Sequence, residues 1–136
     1  MVRFESRHYE VGRKLYDLHH ALAADGLTLD HLAIHFALVD ESLKEYLAAF
    51  GFDLAVLDRQ TPPEYAFRAV KPSRLTRATG VPLATLRRRL EDLAARELVK
   101  ETDGGWKPIM DNEAVRTFRS LVRPLDGADG RSVAAA

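Results

Sequence analysis

The chain has 136 residues, the size of one ordinary domain, and its 46% apolar and 29% charged content is globular rather than disordered or fibrous. With no cysteine there is no disulfide, no thiolate metal site and no cysteine nucleophile. No run approaches the roughly 18 apolar residues of a membrane span and MVRFESRHYE lacks a signal region, so a cytoplasmic location away from membranes is expected. The net charge of zero is unevenly spread: residues 1–67 carry six Lys or Arg against eleven Asp or Glu, residues 68–100 nine against three, and residues 101–136 five against six.

In chain order, residues 8–24 place Val11, Leu15, Leu18 and Leu22 at helical spacing, with Asp25-Gly26 as a stop. Thr28 or Asp30 is positioned to cap a second helix, whose apolar stripe is Leu32, Phe36, Val39, Leu43 and Leu47, interrupted at Gly51. A short apolar segment, FDLAVLDRQ, leads to Thr61-Pro62-Pro63, where two prolines force a loop. The fold expected is mainly α.

Lys71-Pro72 opens a short helix with Leu75 and Ala78 on one face, Gly80 breaks it, Val81 points inward, and Pro82 starts a longer helix over 82–96. Leu86, Leu90 and Leu93 form its apolar stripe. A short helix, a glycine-containing turn and a longer helix make a helix-turn-helix arrangement. With about 100° of rotation per residue, Arg88 lies opposite the leucines beside Ala84, Thr85 and Glu91, while Arg87 and Arg89 fall on the flanks. In a major groove Arg88 would meet base edges, with small Ala84 allowing close approach and Thr85 offering a hydroxyl or methyl. Arg87 and Arg89 would suit phosphates. The local excess of positive charge fits such a surface.

Leu98 to Glu101 has strand character, Asp103-Gly104-Gly105 is a tight-turn signal, and Trp106-Lys107 begins a return strand limited by Pro108. Residues 68–108 thus resemble the winged helix-turn-helix of bacterial transcription regulators, similar to the MarR and IclR types. TGVPLATLRRRLEDLAARELV and the following DGG turn carry the resemblance. Those families have a glycine before the Leu-Val step; here that position is Glu97.

The resemblance implies a mainly α fold: a winged helix-turn-helix with additional N-terminal and C-terminal helices and a short two-stranded β-wing. It implies a homodimeric, sequence-specific regulator that binds double-stranded DNA with the 82–96 helix in the major groove. The DNA-binding set is Ser73, Arg74, Arg77, Pro82, Ala84, Thr85, Arg87, Arg88, Arg89 and Lys107. The alternative is a winged-helix protein-interaction module without DNA. Residues 1–60 form an N-terminal helical region for packing and dimerisation, 61–110 the DNA-reading module, 111–124 a C-terminal helix and 125–136 a mobile tail. In the C-terminal helix Asp111 caps a stripe of Val115, Phe118 and Leu121 or Val122.

Two patterns compete with these readings. Residues 29–50 align with 72–93 at an offset of 43, as a degenerate second helix-turn-helix would, but Glu41 and Glu45 stand where the other carries Ala84 and Arg88. His31 and His35 sit one helical turn apart, a spacing able to chelate a divalent metal, yet structural histidines are the commoner explanation and no metal or cofactor is expected. A phosphate loop, a nucleophile elbow and a paired-carboxylate site are all missing, so no enzymatic activity is expected.

Overall fold

A computed structural model describes residues 5–121. Among them are α1 (Ser6–Ala24), α2 (Leu29–Ala49), α3 (Ala55–Arg59), a 3-10 turn (Glu64–Ala66), α4 (Pro72–Thr79), α5 (Leu83–Ala95), β1 (Val99–Thr102), β2 (Gly105–Pro108) and α6 (Glu113–Leu121). The chain is mainly helical with one small antiparallel sheet, in which Val99 pairs with Pro108 and Thr102 with Gly105. An isolated bridge between Val70 and Trp106 ties the segment before α4 to that hairpin.

Local chemistry sets the helix ends. Gly26 at φ +74° closes α1 and Gly51 at φ +64° closes α2, both in the left-handed region that glycine enters without a Cβ penalty. Of the two candidate caps for α2, Thr28 is the one used. Its backbone N–H donates to His31 Nδ1 at 2.8 Å, and His31 N–H donates to the Thr28 hydroxyl at 3.4 Å. This is a capping box with histidine in the place of the usual Glu or Gln. At α6 the cap falls one residue later than expected: Asn112 Oδ1, not Asp111, accepts from Val115 N–H at 2.7 Å, and Asp111 pairs with Arg116 instead.

One apolar core takes Leu18 and Leu22 from α1, Ile34 and Leu38 from α2, Leu75 from α4, Leu86, Leu90 and Leu93 from α5, Trp106 from β2, and Val115 and Phe118 from α6. The stripe proposed for α6 therefore packs within the chain; Val122 and residues 125–136 lie outside the described residues. In α1 the stripe is split: Leu18 and Leu22 are buried, but Val11 and Leu15 are exposed. In α4, Leu75 is buried and Ala78 exposed, because only Leu75 faces α5 and the core.

Helix α2 departs most from its sequence pattern. Its most buried side on the main core is His31, Ile34, Leu38 and Ser42, whereas in the stripe Leu32, Phe36, Val39, Leu43 and Leu47 only Leu32 packs against that core. That stripe is a second apolar face. Leu43 and Leu47 join Val56, Ala66 and Phe67 in a smaller cluster, while Phe36 stays 67% exposed. Polar residues on the core side mask its periodicity, and Ser42 is satisfied by the segment before α4: Ser42 Oγ donates to Arg68 O at 2.7 Å, and Arg68 N–H donates back to Ser42 O at 3.0 Å. Helix α2 also runs unbroken through Ala37, where a repeat at offset 43 would need the turn made by Gly80.

His35 packs edge-on against Phe118 with ring centroids 4.9 Å apart, and its Nε2 is buried without a hydrogen-bond partner among the described residues. Burial, helped by the nearby Arg119 cation, lowers its pKa from 6.5 to about 4. The unfolded chain takes up that proton near pH 6.5 and the folded chain only near pH 4, so stability is lost as pH falls across this window. The loss is at most about 3 kcal/mol. Thermal melts at about pH 7 and about pH 4.5 should show this drop in the parent and a smaller one in His35→Leu.

Candidate nucleic-acid interface

The basic segment is carried on two short rigid helices. Pro72 sits in the first turn of α4, where its missing N–H costs nothing. Gly80, at φ +76°, ends α4 and donates its N–H to Thr76 O at 2.8 Å. Thr79 Oγ1 donates to Leu75 O at 2.7 Å and accepts from Val81 N–H at 3.2 Å, which pins the turn, and Val81 packs against the core as expected. Pro82 is the N-cap of α5, so the helix runs 83–95 rather than 82–96.

Leu86, Leu90 and Leu93 are fully buried, and this fixes the rotation of α5. Ala84, Arg87, Arg88 and Glu91 are exposed, as is Pro82; Thr85 is half-buried at the margin. Arg89 departs from its expected rim position. Its side chain is only 25% exposed, with Nη1 4.0 Å from Asp92 Oδ2 and its Nε buried without a hydrogen-bond partner among the described residues. Asp92 is in turn held by His31, whose Nε2 lies 2.9 Å from Asp92 Oδ2. Because Nδ1 accepts from Thr28, the proton sits on Nε2 and is donated to the carboxylate. His31 is 1% exposed and both its nitrogens are engaged within the protein. Among the described residues no three metal-ligating side chains cluster.

The exit from α5 keeps its tight geometry without glycine. Leu98 N–H donates to Leu93 O and Glu97 N–H to Ala94 O, both at 3.0 Å, in a Schellman motif that holds Glu97 at φ +60°. Asn112 Nδ2 donates to the Glu97 carbonyl at 2.9 Å and locks the turn from outside. A Cβ in the left-handed region is strained, so Glu97→Gly should raise stability by about 1 kcal/mol. A urea-unfolding midpoint higher than the parent's is the expected reading.

Several cations around the two helices already have carboxylate partners. Arg74 Nε is 3.1 Å and Lys44 Nζ 2.6 Å from Glu41, Arg68 is 2.6 Å from Glu45, and Lys100 is 3.3 Å from Glu64. The Lys44 hydrogen bond, with a further contribution from Arg74, holds the Glu41 carboxyl below its usual range despite its burial. The pairs made by Glu41 and Glu45 border a cleft of about 350 Å³ between α2, α4 and the hairpin turn, onto which Lys71, Ser73 and Arg77 open.

Lys71, Arg77, Arg87, Arg88 and Lys107 make no ion pair among the described residues. Lys71, absent from the sequence-derived set, was signalled by its place just before Pro72, which makes it the N-cap of α4. Lys107 is half-buried and lies directly opposite Lys100 across the hairpin. Like charges so placed repel unless an anion is near, and Glu64 answers only Lys100. No family model, curated protein or solved structure matches the chain.

Proposed function

We propose that the chain is a winged helix-turn-helix protein that binds double-stranded DNA sequence-specifically as a transcription regulator. In this reading α5 lies in the major groove, the β1–β2 hairpin is the wing, and two copies read a pseudopalindromic site. The observation that carries it is the exposed side of α5: a leucine-anchored helix whose Arg87 and Arg88 stand beside small Ala84, with Lys71, Arg77 and Lys107 on adjoining elements, none of the five cations having an ion pair among the described residues. Arg88 and Thr85 face bases, while Lys71, Ser73, Arg77, Arg87 and Lys107 face phosphates. Arg74 joins them by exchanging Glu41 for a phosphate, and Arg89, held at Asp92, orders α5 rather than reaching out.

Arg88→Ala should cost roughly 1–3 kcal/mol at one base position, whereas Arg87→Ala should weaken binding evenly across sequences. Mobility-shift titrations on fragments selected from genomic DNA read both effects. Parent-like binding by both variants would remove these residues from the interface.

A second reading is a protein-interaction module whose basic face meets an acidic partner. The carboxylates of Glu41 and Glu45 already holding Arg74 and Arg68, and exposed Glu91 beside Arg88, favour it. A salt series separates the two, since DNA affinity should fall linearly and steeply in log–log form as counterions return to the phosphates.

A further inference from the structure

The outward centre of α5 carries two opposite charges that leave each other alone. With about 100° of turn per residue, Ala84, Arg88, Glu91 and Ala95 fall within an arc of about 60° that faces away from Leu86, Leu90 and Leu93. All four are exposed. The two alanines clear the ends of the stripe, so Arg88 and Glu91 are the side chains that reach out from its middle. Glu91 follows Arg88 by three residues and Arg87 by four, spacings at which opposite charges pair on a helix. Yet none of the three has an ion pair among the described residues. The neighbouring carboxylate, Asp92, is held differently, 2.9 Å from His31 and 4.0 Å from Arg89.

A free carboxylate on this face is repelled by phosphate, so what it gains from DNA must come from a base. In the major groove guanine presents two acceptors, and thymine an acceptor and a methyl; neither suits a carboxylate. Adenine sets an acceptor beside its amino group. Cytosine offers an amino donor with no acceptor next to it. We infer that Glu91 is a specificity-determining residue that accepts from the N4 amino group of a cytosine, while Arg88 takes O6 and N7 of a guanine. The inference rests on the DNA-binding reading above. Three helical residues rise about 4.5 Å against about 3.4 Å per base pair, which puts the guanine and the cytosine in neighbouring pairs or with one pair between them. The preferred half-site therefore holds two close G·C pairs. Glu91 also acts by exclusion, since against guanine or thymine its charge is desolvated without a donor.

Selection of bound duplexes from a random-sequence library by the full chain, followed by titration of the selected sites, tests this. The parent should enrich a cytosine at one position and prefer it there by roughly tenfold or more. Glu91→Gln should move that preference to adenine, whose N6 and N7 suit a glutamine amide, and leave the guanine of Arg88 in place. Glu91→Ala should accept all four bases at the position. The Glu91 side chain is exposed, so both variants should keep the parent's thermal melt, and a change of preferred base is then no folding effect. A Glu91→Gln variant that enriches the parent's sequence, or that binds every sequence more tightly with no change of preferred base, overturns the inference and leaves the DNA-binding reading standing. A parent that enriches no sequence overturns that reading and this inference together.

Discussion

Gly105→Ala should destabilise the protein by about 3 kcal/mol or more. Gly105 opens β2 at φ +134°, a conformation that side-chain-bearing residues rarely adopt, and a Cβ built there would run into the carbonyl of Val70. That carbonyl cannot move aside cheaply. Val70 and Trp106 exchange two hydrogen bonds of 2.8 Å, and both side chains are buried in the core. Relieving the clash therefore breaks the bridge, unseats the single tryptophan and loosens the hairpin. Gly104→Ala is the control, because its Cβ would meet only the Ala69 methyl at 3.3 Å. Urea unfolding followed by tryptophan fluorescence reads both variants. A parent-like midpoint for Gly105→Ala would mean that the Val70–Trp106 pair is not a fixed part of the native hairpin.

His31→Leu is expected to cost roughly 2–4 kcal/mol although it fills a similar volume with an apolar side chain. It leaves the Thr28 N–H without its acceptor, removes a donor from Asp92, and sets Asp92 free to turn toward Arg89 or water. The loss should appear in the same denaturation experiment. Dialysis of the parent against a chelator should leave the melting temperature unchanged, since both imidazole nitrogens are already engaged within the protein. A chelator-sensitive melt would instead make the His31–His35 pair a metal site.

The parts of the fold that were legible in the sequence are those governed by neighbours in the chain. Leu86, Leu90 and Leu93 set the rotation of α5, and with it the exposure of Ala84, Arg87 and Arg88, because a helix three turns long leaves only one side for three leucines. Gly26, Gly51 and Gly80 mark their helix ends because their backbone angles favour glycine. The Glu97 position was recognisable by alignment to a glycine step, but not its strain, since the turn is held by Leu93, Ala94 and Asn112 carrying the cost.

What escaped reading depends on contacts between distant residues. His31 meets Asp92 across 61 residues and Arg74 meets Glu41 across 33, and no local spacing predicts either. Arg89 belongs with these: its inward turn follows from Asp92, which His31 orients. Helix α2 was legible only in part, for a different reason. Packed on both sides, it has apolar residues around most of its circumference, and the side with the cleaner leucine pattern faces the smaller cluster. Histidine and serine at core positions broke the periodicity that would have identified the other side.

The reciprocal hydrogen bonds between Ser42 and Arg68, together with Ile34 and Leu38 beneath Leu75 and Leu86, bind α2 to the basic segment as closely as α4 and α5 are bound to each other. A fragment spanning 61–110 would strip one wall from the leucines that orient Arg88. The arginine-bearing surface is therefore not a transplantable cassette: grafted elsewhere, it would have to bring helix α2 with it to keep its shape.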